Sequence, residues 1–269
     1  MQQYIQLCKK HLVKPDEQYF QQLKLQELFP RIGSFTLKKA NGLVAVELLK
    51  NMNLQRLYLE DMPMNKYFSQ LLGALKNSPN LLELSLINCS FSAHQTTILF
   101  KLMSSFSKLD LLDISQNQFN IESICKVQLK ITKLSMRGST FLNPNYFSDL
   151  MKSLSNLKSL DLRQNNLRPM TNFIEFALNF FNLQPETLNL SFCYVSKPQL
   201  REVISLLKIT KSCVLVHVDG LNLVEEGTIF KAQLNNYEFG SVQLKNLMEE
   251  MEEPVIVGAS QLVGLEDIK

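Results

Sequence analysis

The chain has 269 residues, which at about 150 residues per domain allows one large domain or two small ones. With 45% hydrophobic and 20% charged residues it has the composition of a folded globular protein, not of a mostly disordered chain. The balance of 28 Lys and Arg against 25 Asp and Glu gives a net charge of +3, and no run of five or six like charges offers a footprint for nucleic acid or an anionic membrane.

In chain order, residues 1–27 predict a helical cap. Tyr4, Ile5, Cys8 and Leu12 form one apolar stripe, and Tyr19, Phe20 and Leu23 form another. The segment is short and carries no F-box motif. It has no apolar h-region, so a secretory signal is not expected.

From residue 28 the excess of leucine, 48 of 269 residues, resolves into a repeat. The spacing LxxLxLxx(N/C)xL fits eight times, with first positions at 32, 54, 81, 109, 131, 157, 185 and 213. The clearest copy is Leu157, Leu160, Leu162, Asn165, Leu167; others are Leu109, Leu112, Ile114, Asn117, Phe119 and Leu81, Leu84, Leu86, Cys89, Phe91. Each LxL predicts a short strand with its apolar side chains inward at period two. At the ninth position Asn can satisfy backbone groups of the turn and a small Cys can pack, so Cys89 and Cys193 read as structural.

Between the strands lie helical stripes. They are Phe68, Leu71, Leu72, Leu75; Phe147, Leu150, Met151, Leu154; Phe173, Phe176, Ala177, Phe180; and Leu200, Val203, Ile204, Leu207. Asn143 before Pro144, Thr171, and Ser196 before Pro198 mark helix starts. The two 22-residue steps leave room only for a short helix or 3₁₀ turns, near 42–50 and 120–128.

Strand and helix alternating at about 26–28 residues, with Asn or Cys at the turn, resembles the ribonuclease-inhibitor-like class of leucine-rich repeat proteins over roughly residues 28–223. That class includes ribonuclease inhibitor, the Ran GTPase-activating proteins and tropomodulin-like actin cappers. The resemblance implies an α/β leucine-rich repeat solenoid, a horseshoe of about eight repeats with a parallel β-sheet on the concave face and helices on the convex face.

A solenoid needs capping at both ends. Residues 224–253 predict the C-terminal cap: 228–239 reads either as a hairpin around Asn235-Asn236 or as a helix, and 241–252 as a capping helix. Residues 254–269 form an apolar tail in which Val255, Ile256, Val257, Leu262 and Leu265 either pack on the last repeat or insert into a partner.

No P-loop, GxGxxG, GxSxG or HExxH occurs, and the three histidines, His11, His94 and His217, lie in separate regions. The five cysteines include no CxxC pair, which points to a reducing, cytoplasmic compartment rather than a disulfide framework. No catalytic residue, cofactor or metal is expected, and the expected partners are proteins of a larger assembly, cytoskeletal or ciliary among the candidates, not nucleic acid, a membrane interior or a small-molecule substrate.

Function is expected on the outward strand positions. One row is Thr36, Tyr58, Ser85, Asp113, Ser135, Asp161, Asn189 and His217; the next is Lys38, Glu60, Ile87, Ser115, Arg137, Arg163, Ser191 and Asp219. The candidate contacts are Arg56, Tyr58, Glu60, Asp113, Arg137, Asp161, Arg163 and His217, since Arg and Tyr dominate binding hot spots. The competing reading is that these charges pair across strands and solvate the sheet, with His217 a solvated end-strand residue. A second expectation, small-GTPase regulation, would use Arg56, Asn117 and Arg137; a third is actin or tubulin binding.

Overall fold

The computed structural model describes residues 2–15, 17, 20–21, 24, 33–39, 41–50, 52–210, 215–217, 222–225, 228–231 and 237–238. It is a mixed α/β protein with mostly parallel strands, and among the described residues no set of strands closes into a barrel. No described helix is long and apolar enough to cross a membrane. The chain divides into two compact units, Met1–Leu157 and Lys158–Lys269.

In the first unit, helix α1 (Gln2–Lys10) precedes strand β1 (Ser34–Lys38), α2 (Gly42–Leu49), β2 (Arg56–Glu60), α3 (Phe68–Lys76), β3 (Glu83–Ile87) and α4 (Ala93–Met103). Then come β4 (Leu111–Asp113), β5 (Gln118–Asn120), the single turn α5 (Ile121–Ile124), β6 (Lys133–Ser135), β7 (Thr140–Leu142) and α6 (Phe147–Ser153). Strands β1, β2, β3, β4 and β6 pair in that order, all parallel. Strands β5 and β7 form a separate parallel pair.

The second unit contains β8 (Ser159–Asp161), α7 (Phe173–Asn182), β9 (Thr187–Asn189), β10 (Tyr194–Val195), α8 (Lys197–Thr210) and β11 (Leu215–His217). Strands β8, β9 and β11 are parallel neighbours. Strand β12 (Asn222–Glu225) pairs with β10, β13 (Thr228–Lys231) pairs antiparallel with β12, and β14 (Tyr237–Glu238) pairs antiparallel with β11. The described parts of 228–239 are therefore strands and not helix. They do not pair with each other as a hairpin around Asn235-Asn236 would require, because each has a partner earlier in the chain.

The strand pairing follows the sequence repeat without a slip. Phe35, Leu57, Leu84, Leu112 and Leu134 are successive register partners in the first unit, and Leu160, Leu188 and Val216 in the second. All eight are buried. A one-residue slip would turn each of these side chains to solvent, so burial fixes the register. The helices bury the stripes their spacing indicates: Phe68, Leu71 and Leu75 on α3, Phe147, Leu150 and Met151 on α6, Phe173, Phe176, Ala177 and Phe180 on α7. The ring pair Phe68–Phe91, with centroids 5.4 Å apart, joins α3 to the turn before α4, and Phe141–Phe147, at 4.9 Å, joins β7 to α6.

Two helix starts carry a full capping box. Ser92 and Gln95 bond reciprocally at the start of α4, and Ser196 and Gln199 do so at α8. Asn143 and Thr171 mark the correct neighbourhoods, but Asn143 adopts a left-handed backbone and the residue before α7 does not cap that helix with its side chain. In the amino-terminal stripe Tyr4 and Cys8 are buried, whereas Leu12 is 94% exposed, because α1 ends at Lys10 and Leu12 follows in a left-handed turn. Residues 19, 23, 241–252 and the tail 254–269 lie outside the described residues.

Candidate binding surface

The surface rests on the turn that follows each strand. At the eighth position of the repeat the backbone is left-handed in seven copies: Lys39, Asp61, Asn88, Gln116, Gly138, Gln164 and Phe192 all have φ between +49° and +60°. This bend lets the amide of that residue stay in the parallel ladder while the chain leaves the strand. Lys39 donates to the Glu60 carbonyl, Asp61 to Ile87, Asn88 to Ser115, Gln116 to Arg137 and Gln164 to Ser191, each near 3.0 Å.

The ninth position closes the turn from inside. Asn117 is buried, and its Oδ1 accepts from the amides of Cys89 and Phe91 at 3.2 Å. Its Nδ2 donates to the carbonyls of Leu86, Ile114 and Ser115 at 2.7–3.0 Å. Where the residue is Cys, the thiol donates in the same direction, Cys89 to the Leu59 carbonyl and Cys193 to that of Leu162. Burial pushes both thiols up to about 12, which removes their nucleophilic form at neutral pH.

The outward residues stand on this frame. In the first unit Thr36, Tyr58, Ser85, Asp113 and Ser135 are successive register partners, and in the second Asp161, Asn189 and His217. Several are tied down. Arg56 Nε donates to Glu83 Oε1 at 2.9 Å and the Tyr58 hydroxyl donates to Glu83 Oε2. Burial, then this bond, pushes the Tyr58 phenol up to about 12; the Tyr58 hydroxyl, with Arg56 behind it, holds Glu83 below the usual carboxylate range. Lys38 pairs with Glu60 at 2.6 Å. Asp113 accepts from the amide and hydroxyl of Ser115, and Ser115 also accepts from Ser135 and from the Arg137 amide. In the second unit Arg163 folds back onto Asp161 through two nitrogens, Nε and Nη2, at 2.6–3.0 Å. Lys38–Glu60 and Arg56–Glu83 thus pair across neighbouring strands, whereas Arg163 pairs with Asp161 two residues earlier in its own segment.

Three expected positions are corrected. Ser115 and Ser191, read as outward, are 1% and 3% exposed, because the chain is already turning there, and Ser85, in the middle of β3, is buried as well. Of the three residues the GTPase-regulator reading would use, Asn117 is filled by five backbone groups, and Arg56 is paired with Glu83 at a half-exposed surface. His217 is half-buried at the end of β11. Asp219 and the tail residues Val255, Ile256, Val257, Leu262 and Leu265 lie outside the described residues.

What the pairing leaves over is the offer this surface makes. Among the described residues no side chain pairs with the guanidinium of Arg137, which follows β6 and is half-buried. In the second unit Phe192 is 51% exposed on a left-handed backbone. Neither Glu83 nor Phe192 was singled out from sequence. Glu83 lies one place before the LxL core, and Phe192 is the one aromatic at a turn position otherwise held by polar residues or Gly. Among the described residues no three His, Cys, Asp or Glu side chains converge as a metal site would need. In comparisons with known proteins, no family model and no curated protein matches the chain.

Proposed function

We propose that the chain is a leucine-rich repeat solenoid of the ribonuclease-inhibitor-like kind, with about eight repeats, and that it acts as a non-catalytic scaffold or adaptor subunit of a larger intracellular assembly, cytoskeletal or ciliary in the first instance. The strand face is its protein-binding surface. One observation carries the reading: the in-register outward rows are braced by internal ion pairs, while Arg137 keeps an unpaired guanidinium among the described residues. A pre-organised row of side chains binds with less ordering entropy than a loose one, and Arg and Tyr are the residue types that anchor interfaces. The apolar tail is a second contact in the same reading, by extended-chain addition to a partner.

Co-purification tests it. The tagged full chain, expressed in its own cell type, should bring down a reproducible set of proteins. A Tyr58→Ala/Arg137→Glu variant should lose them, and Lys76→Glu, an exposed change on α3, should keep them. A chain that elutes alone, or a strand-face variant that retains every partner, contradicts the proposal.

A further inference from the structure

The step from residue 109 to 131 is one of the two short ones, and its helix α5 is a single turn, against eleven residues in α4 and seven in α6. The shortfall leaves a groove of about 770 Å³ beside α4. One wall is the stripe Thr97, Lys101 and Ser104 on and just after α4, which at 1.5 Å per residue runs for about 10 Å. The other wall follows α5, where burial alternates. Val127 and Leu129 are buried, while Lys126, Gln128 and Lys130 are exposed. The alternation puts two ammonium groups and an amide on one outward edge, opposite Lys101. No carboxylate lines the groove, and among the described residues none of the three ammonium groups has an acidic partner.

The hydroxyls narrow the choice of occupant. Thr97 donates its proton to the Ala93 carbonyl and Ser104 donates to that of Lys101. Their oxygens therefore offer lone pairs to the groove, which suit N–H donors, while the Ser123 hydroxyl, also on the lining, can donate or accept. The Gln128 amide both donates and accepts, as a peptide group requires. From this juxtaposition of three unpaired lysines with hydrogen-bond acceptors, we infer that the notch left by the short repeat is a docking groove for an acidic peptide segment of a partner protein. Carboxylates meet the lysines and backbone N–H groups meet the hydroxyl oxygens. The groove is a second surface, independent of the strand face.

Fluorescence anisotropy with the full chain decides it. The probe is a fluorescein-labelled (Glu-Ala)4 octapeptide, with (Gln-Ala)4 as the uncharged control. Wild type binds the acidic probe and not the neutral one. The triple variant Lys101→Gln/Lys126→Gln/Lys130→Gln binds roughly tenfold more weakly, while Lys66→Gln/Lys76→Gln, with lysines outside the groove, binds as wild type does. Thermal melts confirm that all three proteins are folded. Failure of wild type to bind the probe overturns the inference, as does undiminished binding by the folded triple variant or equal weakening in the control. Displacement of the probe by equimolar inorganic phosphate also overturns it, in favour of a simple anion site.

Discussion

The buried ninth position and the outward strand rows use similar polar residues to opposite ends. Asn117 fills its capacity with backbone groups of two turns and sees almost no water. Arg56, Tyr58, Lys38 and Asp161 also have partners, but these are neighbouring side chains at a half-exposed surface. A buried unsatisfied amide costs about 1–3 kcal/mol, whereas an exposed ion pair contributes at most about 1. The column therefore holds the fold, and the rows remain free to change with a partner.

Breaking the column should do the most damage. Asn117→Leu strands the amides of Cys89 and Phe91 and should lower unfolding free energy by about 3–5 kcal/mol, read as a fall in urea midpoint at constant m. Next, Cys89 and Cys193 should alkylate at pH 8 at least about 100-fold more slowly in the native protein than in urea, because burial holds both thiols near 12. Mass-spectrometric counting of modified thiols over time checks this.

The turn before the column gives a smaller effect. Gly138 is the one glycine among the seven left-handed eighth positions, so Gly138→Ala should cost about 1 kcal/mol, and Gln116→Gly should return about 0.5–1. Equal and opposite shifts in thermal midpoint would tie both residues to one backbone requirement.

On the rows, Tyr58→Phe removes the hydrogen bond to Glu83 and should cost about 1 kcal/mol near neutrality. Its pH profile sharpens the contrast. The folded phenol titrates near 12 and the unfolded one near 10, so its contribution is complete below 10 and is lost as pH rises through 12. Tyr58→Phe should flatten that part of the stability curve. Smallest of all, Glu60→Gln breaks the exposed pair with Lys38 and should leave the urea midpoint unchanged.

Strand register was readable because each LxL places two leucines on one face, and a slip would expose both. Of the two 22-residue steps only the second holds a single turn, α5, whereas α2 in the first runs for eight residues, one more than α6. Leu12 misled because i, i+4 spacing says nothing about where a helix stops, and α1 stops at Lys10. The left-handed column was hidden because Lys, Gln and Phe carry no preference for that backbone; only Gly138, Asn88 and Asp61 hinted at it. In the site, the outward rows were readable from alternation, but pairing depends on side-chain reach across strands. Glu83 could have been found by noting that it stands beside Arg56 once the repeats are aligned.

The proposed function puts partner contacts on the outward strand residues. A photo-crosslinking amino acid placed at position 58 or 137 in the full chain, in its own cells, tests this most directly, with position 178, exposed on α7, as reference. Protein adducts from 58 and 137, and none from 178, are the predicted result. Adducts from 178 alone, or from no position, would contradict the account.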